Sequence, residues 1–353
     1  MPARPPIGAR APTIARIALT LCIAALAAAG ARALGTPLPW MLGPLFAVAL
    51  LRVSNVALCP PPGGRHAGQW AIGTSLGLYF TPAVLLLLRD NLLLVGLIAG
   101  GALVMGMLCA LMTWRLAPVD RPTAFFASLP GGASEMAVVA ERFGGAIDRI
   151  AAAHALRVMI VVAVVPLALS AAGAHGSDLY QPLASHVDFA RLPWLVGASL
   201  CGVALLSAAR LGNAWVLGPL LGVGAVTGAG LSLSALPAWA VNGGQLLIGC
   251  ALGCRFSPAF FHAAPRFLAA ATASALLAIG LGTLIALGTV VLSDAPLATL
   301  VLAAAPGGVA EMCITAKVLQ LGVPLVTLCH ALRVIVLTLG APALYRIFLR
   351  LTP

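Results

Sequence analysis

The chain has 353 residues, 61% of them hydrophobic and only 8% charged, with a formal net charge of +11. A soluble globular domain carries about 25% charged residues, so a soluble fold is excluded and lipid is the expected solvent. Lys and Arg stand singly between apolar runs, which reads as a topology signal rather than a nucleic-acid surface.

Six apolar segments come first, at about 13–34, 38–53, 66–88, 90–115, 122–142 and 146–172. After a polar stretch at 173–189, six more follow at about 191–209, 213–231, 236–256, 265–292, 297–319 and 323–349. Most reach the roughly 20 residues that a spanning helix needs. Arg4, Arg10 and Arg16 ahead of an apolar run, with Ala-Arg-Ala at 31–33, have the outline of a signal peptide. The expectation is instead a retained first helix, because 16–34 aligns with the run that starts at Arg191.

That alignment belongs to a repeat running through the chain. WMLGPL at 40–45 returns as WVLGPL at 215–220. Gln69, Gly73, Gly77, Phe80 and Pro82 return as Gln245, Gly249, Gly253, Phe256 and Pro258. LPGGASEM at 129–136 returns as APGGVAEM at 305–312, and HALRV at 154–158 is identical at 330–334, 176 residues on. The reading is a duplication: residues 1–172 form a first membrane repeat, 173–189 a linker and 190–353 a second repeat.

Parity then sets the symmetry. If all six segments cross, the halves are parallel; if one dips in and returns, five cross and the halves are inverted. With the N-terminus inside and the fifth segment re-entrant, most basic residues fall inside, and Arg32, Arg89, Arg191 and Lys317 fall outside. Six crossings would spread them almost evenly. The fold expected is an all-α polytopic membrane protein of two homologous units. Each is an inverted repeat of five spans plus one re-entrant broken helix, with both termini on the inner side.

The fifth segment of each half holds the chemistry. Pro130, Gly131 and Gly132, and Pro306, Gly307 and Gly308, should break their helices. A break at membrane depth needs protein or a wet cavity around it. It frees N–H groups for an anion on one side and carbonyls for a cation on the other. Glu135 and Glu311 fall just past the breaks, where a carboxylate costs at least about 3 kcal/mol unless paired or hydrated. His154 and Arg157, like His330 and Arg333, are spaced i,i+3 on one helix face. Each Glu is expected to approach such an Arg and His, of its own or the other repeat.

Two uses fit this constellation. One is a buried structural ion pair pinning the re-entrant segment. The other, preferred because broken backbone and ionisable groups coincide, is a solute site. There Arg157 and Arg333 with the glycine N–H groups hold an anionic group. Glu135 and Glu311 carry a proton or ligate a cation such as Na+, and His154 and His330 relay protons or bind solute. No cofactor is expected. The partners expected are the lipid bilayer and a small solute, with no nucleic acid and with self-association left open.

The eight Cys show no disulfide or metal framework. The Trp-x2-Gly-Pro strings and the Gly73-x3-Gly77 and Gly249-x3-Gly253 pairs read as packing devices. Gln69 and Gln245 are placed to reach a cavity. His66, His175, His186 and His262 have no His at the repeat offset and read as loop residues.

In PGG-x2-EM and HALRV, each present twice, the sequence resembles the AbrB family of duplicated bacterial inner-membrane proteins. The resemblance covers nearly the whole chain and implies the bacterial cytoplasmic membrane. Its members are labelled ammonia monooxygenases or regulators of gene expression. A monooxygenase needs clustered redox-metal ligands, and two nearby Arg speak against a two-His, two-Glu centre. A regulator of transcription needs a soluble basic module, and the longest polar stretch is only 173–189. The function expected is secondary transport of a small anionic solute coupled to a proton or cation. A membrane sensor acting indirectly on gene expression is the alternative, and a metal-dependent oxygenase comes third.

Overall fold

Proline punctuates this chain, and many helices begin where it falls. In the computed structural model, which describes residues 10–176, 180–209, 211–256, 258 and 264–352, the regular structure is helical. The first half runs α1 (Arg10–Ala33), α2 (Pro39–Val53), α3 (Gly64–Gly77), α4 (Pro82–Asp90), α5 (Leu92–Leu116), α6 (Arg121–Ser128), α7 (Ala133–Glu141) and α8 (Ile147–Ala171). The second runs α9 (Leu192–Ala208), α10 (Ala214–Gly228), α11 (Ala238–Gly253), α12 (Pro265–Thr289), α13 (Leu297–Ala304), α14 (Val309–Leu319) and α15 (Val323–Leu351). Pro39, Pro82, Pro122, Pro193, Pro265 and Pro324 sit in first turns, where the missing N–H is no loss.

Thr13–Ala33, Leu92–Leu116, Ile147–Ala171, Pro265–Leu292 and Val323–Leu351 are long and apolar enough to cross a bilayer. Pro39–Val53, Leu192–Ala208 and Ala214–Gly228 are apolar but shorter. Leu86, Leu93, Val291 and Leu339 are exposed, as side chains bathed in lipid are.

The third segment departs from expectation. The run 66–88 is not one helix but α3 and α4, bent by 88°. Pro82 cannot continue α3, and Thr81 caps α4 by accepting from the Val84 N–H at 3.3 Å. An unbroken hydropathic run thus hides a corner. His66, expected in a loop, lies exposed on α3. His175 and His186 lie between helices as expected, and His262 lies outside the described residues.

Contacts divide the chain into two units, Met1–Ala71 with Pro237–Ala263 and Ile72–Leu236 with Ala264–Pro353. Each draws on both sequence halves. In the first unit α2 packs between α1 and α11. Gly43 lies against Ala27 and Ala28, while Gly249 and Gly253 lie against Met41, Pro44, Leu45 and Val48, each so close that a Cβ would collide. Gly68 of α3 and Gly244 of α11 also face each other there. In the second unit Gly218 lies against Gly202 and Val203, and Gly73 and Gly77 lie against Val216, Pro219, Leu220 and Val223. The glycine face of α3 therefore covers α10, and that of α11 covers α2. Small residues let these backbones approach.

The rest of the second unit is a bundle. α5 packs on α12 and α15, α12 on α8, α6 and α7 on α8, and α13 and α14 on α15. The two WxxGP helices begin alike: Leu38 before α2 and Asn213 before α10 both take left-handed backbone, at φ 53° and 56°. Asn tolerates that region. Leu38 is held there while fully buried, and nothing in its letter announces it.

Candidate functional site

Both Pro-Gly-Gly strings break their segments as expected. α6 stops at Ser128 and α7 starts at Ala133; α13 stops at Ala304 and α14 starts at Val309. Each break leaves the last carbonyls of one half-helix and the first N–H groups of the next without intrahelical partners. Glycines on neighbouring helices make room. A Cβ at Gly106 of α5 would strike Leu129, and one at Gly282 of α12 would strike the Ala304 carbonyl. These two also share the 176-residue offset, a signal the sequence reading passed over.

The freed carbonyls are taken by the residues of HALRV. Arg157 donates from Nη1 to Leu129 O at 2.7 Å and from Nη2 to Gly131 O at 3.4 Å. Its Nη2 also lies 2.9 Å from His154 Nδ1, and His154 Nε2 lies 3.0 Å from Phe126 O. A carbonyl only accepts, so Nε2 carries the proton and Nδ1 accepts from the guanidinium. In the second half Arg333 donates to Ala305 O and Gly307 O, and His330 Nε2 donates to Leu302 O at 2.9 Å. Both arginines and both histidines are buried. The guanidinium charge thus rests on the negative end of a half-helix, held by charge-assisted bonds worth about 1.5–3 kcal/mol each.

This corrects the expected pairing. No ion pair joins Glu135 or Glu311 to Arg157 or Arg333; the one ion pair among the described residues is Arg191 with Asp188. The cation that the freed carbonyls attract is the protein's own arginine.

Each glutamate instead folds back on its own half-helix. Gly132 and Gly308 are the N-caps of α7 and α14, and Glu135 and Glu311 stand three residues on, in the first turn. A side chain at Gly132 would collide with Glu135 Oε2, and one at Gly308 with Glu311 Oε2. This is the reach of a capping box. The preceding glycines, Gly131 and Gly307, are covered by Met136 and Met312. Every fixed letter of PGG-x2-EM therefore has a place: Pro breaks the helix, the first Gly takes the Met, and the second takes the Glu.

The surroundings of the two breaks differ. Glu311 is 6% exposed, whereas Glu135 is partly exposed and reaches across to Gly212 beside Asn213. The first break is flanked by stacked and tilted rings of Phe125, Phe126, Phe143, Tyr345 and Phe348. At the repeat offset the second half carries Val301, Leu302 and Leu319. Lys317, at the end of α14, has its Nζ 5.7 Å from the centre of the Tyr79 ring. Gln69 and Gln245 are buried in the first unit. Among the described residues no three His, Cys, Asp or Glu gather.

The sequence between residues 40 and 349 matches the family described as transition state regulatory protein AbrB. The chain belongs to the AbrB family. It is 27% identical over 340 residues to "Uncharacterized protein YhjN" of Bacillus subtilis (strain 168), covering 89% of this chain and 88% of that one. It is 26% identical over 336 residues to "Putative regulator AbrB" of Escherichia coli (strain K12), covering 92% and 94%. No solved structure matches it.

Proposed function

We propose that this AbrB-family protein is a secondary transporter of a small anionic solute, coupled to a proton or a small cation, with the two breaks as its solute site. The observation that carries this reading is the carboxylate folded onto the first turn of a half-helix at each break. A helix N-terminus draws anions, and here Glu135 and Glu311 fill that place themselves. Protonation releases the carboxylate, and the solute's anionic group takes the N–H groups at Gly131, Gly132 and beyond, or at Gly307, Gly308 and beyond. Proton and anion then cross together. Pro130 and Pro306 keep the breaks open. Arg157 and Arg333 hold the broken backbone and add positive field, and His154 and His330 position the arginine side.

The architecture proposed with it is ten spans in two inverted repeats, 1–172 and 190–353, joined by 173–189. It sits in a bacterial inner membrane with both termini cytoplasmic. The reciprocal glycine contacts support it, since each half lends its third helix to the second helix of the other. Single cysteines at Arg142 and Lys317, in a background freed of the eight native Cys, are expected to label from opposite sides. Labelling from one side sinks the inverted arrangement.

Transport is tested in proteoliposomes with a panel of small carboxylates and inorganic anions. A pH gradient is expected to drive accumulation in the wild type. Glu135→Gln and Glu311→Gln are expected to keep counterflow but lose pH-driven accumulation by about tenfold or more, as removal of a coupling charge predicts. Undiminished accumulation in both variants ends the reading. The second reading, a membrane regulator, has the name of the Escherichia coli relative in its favour. It predicts saturable binding of a solute with no counterflow.

A further inference from the structure

The second unit contains a cleft of about 250 Å³ where the corner between α3 and α4 meets α10 and the first turns of α15. Phe80, Leu85, Leu220, Leu221, Thr327 and Leu328 line it. The 88° bend swings α4 off the line of α3, so that Leu85 meets Gly228 of α10. At about 30 Å³ for a water, the cleft has room for roughly eight water-sized groups, a stretch of hydrocarbon chain. Thr327 donates its hydroxyl hydrogen to Val323 O at 2.7 Å, so the side chains lining the cleft offer no free donor. A polar solute has nothing there to hold it. Leu85 and Leu221 are exposed, so the cleft is open to the surrounding lipid.

An apolar wall has no preference among lipids, whose tails are all as apolar as leucine. Preference needs a charge at the mouth, and Arg89 supplies one. It is exposed and stands four residues after Leu85, one turn along the same face of α4. Side chains on a helix lean toward its N-terminus, which aims the guanidinium back toward Leu85. Asp90 follows, but it lies about 100° further around the helix. A second cation, Lys317, stands beside the same corner. Its Nζ is 5.7 Å from the ring centre of Tyr79, the chain neighbour of Phe80. Among the described residues neither Arg89 nor Lys317 has a carboxylate partner.

We propose that the cleft between α4, α10 and α15 seats one acyl chain of an anionic phospholipid of the bilayer, with its phosphate held by Arg89 and Lys317. Leu328 and Ala331, which form the α15 wall, stand on either side of His330 in the chain. The seated lipid therefore bears on the helix whose His330 and Arg333 hold the second break. This does not rest on the transport reading, since its readout is lipid bound to the purified protein rather than solute movement.

The test adds phosphatidylglycerol, or phosphatidylcholine with the same chains, to delipidated protein in non-ionic detergent. Native mass spectrometry reads the lipid bound, and thermal unfolding reads its effect. About one phosphatidylglycerol per protein is expected to stay bound and to raise the midpoint saturably by about 3 °C or more over phosphatidylcholine. Arg89→Gln and Lys317→Gln are each expected to weaken phosphatidylglycerol about fivefold and to leave phosphatidylcholine unchanged. At Gly224 in the cleft an added Cβ would rest in ordinary contact, 3.6 Å from Phe80. Gly224→Leu fills the cleft and is expected to lose the bound lipid although both cations remain. Arg89→Gln changes an exposed side chain, so it decides even if Gly224→Leu does not fold. Arg350→Gln, exposed at the far end of α15, is expected to change nothing. Equal effects of the two lipids, a preference that survives when Arg89→Gln and Lys317→Gln are combined, retention by a folded Gly224→Leu protein, or displacement by an equal concentration of laurate overturns the proposal.

Discussion

The break at Leu129–Gly132 and the break at Ala305–Gly308 carry nearly the same letters, and each holds its arginine on the same two carbonyls. Their settings diverge. The second is sealed: Glu311, His330 and Arg333 are buried among aliphatic side chains. The first is braced by aromatic rings, has a polar cavity behind its arginine and leaves Glu135 partly exposed. What the two share is the hardware that a broken helix needs in a low-dielectric interior. What differs is everything through which the break meets its surroundings. Holding the broken backbone and meeting the surroundings are thus separable, and substitutions at equivalent positions can tell them apart.

The largest contrast is expected at the arginines. Arg333→Met leaves two freed carbonyls in a sealed interior and is expected to destabilise by about 3–5 kcal/mol, read as denaturant midpoint in detergent. Arg157→Met is expected to lose visibly less, because Gly131, one of its two carbonyl partners, is partly exposed where Gly307 is buried, so water can reach that carbonyl. Lys should not restore either, since it cannot fork to two acceptors. Equal losses at the two sites would erase the distinction between a sealed and an open break.

A smaller contrast comes from the N-cap glycines. Both have extended backbone that Ala adopts freely, with φ −68° at Gly132 and −75° at Gly308. Ala at either position only displaces the carboxylate. Gly308→Ala forces Glu311 within a packed interior and is expected to cost about 1–3 kcal/mol. Gly132→Ala lets Glu135 swing outward and is expected to stay below about 1 kcal/mol. The same midpoint measurement decides, and a larger loss at Gly132 would reverse the ranking of the two breaks.

The smallest effect should run the other way. His154 bonds both Phe126 O and Arg157, whereas His330 Nδ1 has no partner. Replacing His154 by Ala is therefore expected to exceed the same change at His330 by about 1 kcal/mol, one net hydrogen bond. Comparison within an Arg157→Met background should abolish that excess.

The sequence made the breaks legible because Pro-Gly-Gly acts locally, and it made the Arg and His legible as one face because i,i+3 spacing is geometric. It misdirected the pairing. A lone glutamate near a lone arginine suggests an ion pair, but the competing acceptors were backbone carbonyls, which have no letter of their own. The corner at Thr81–Pro82 was written plainly and was masked by hydropathy. The glycine pairs of α3 and α11 were visible, but not that each serves the opposite half, because spacing says that a close approach occurs and not to whom. Leu38 in left-handed backbone had no signal at all.

That exchange of glycine faces also fixes an order of events during synthesis. α2 finds its cover only when α11 arrives, and α3 finds its cover only with α10. At about 5–20 residues per second, the ribosome makes α11 roughly 10–40 s after α2. Through that interval the side of α2 that meets α11 has no partner, and a fragment stopping at residue 172 leaves it, and the glycine face of α3, without theirs. Residues 1–172 alone are thus expected not to pack as they do in the full chain.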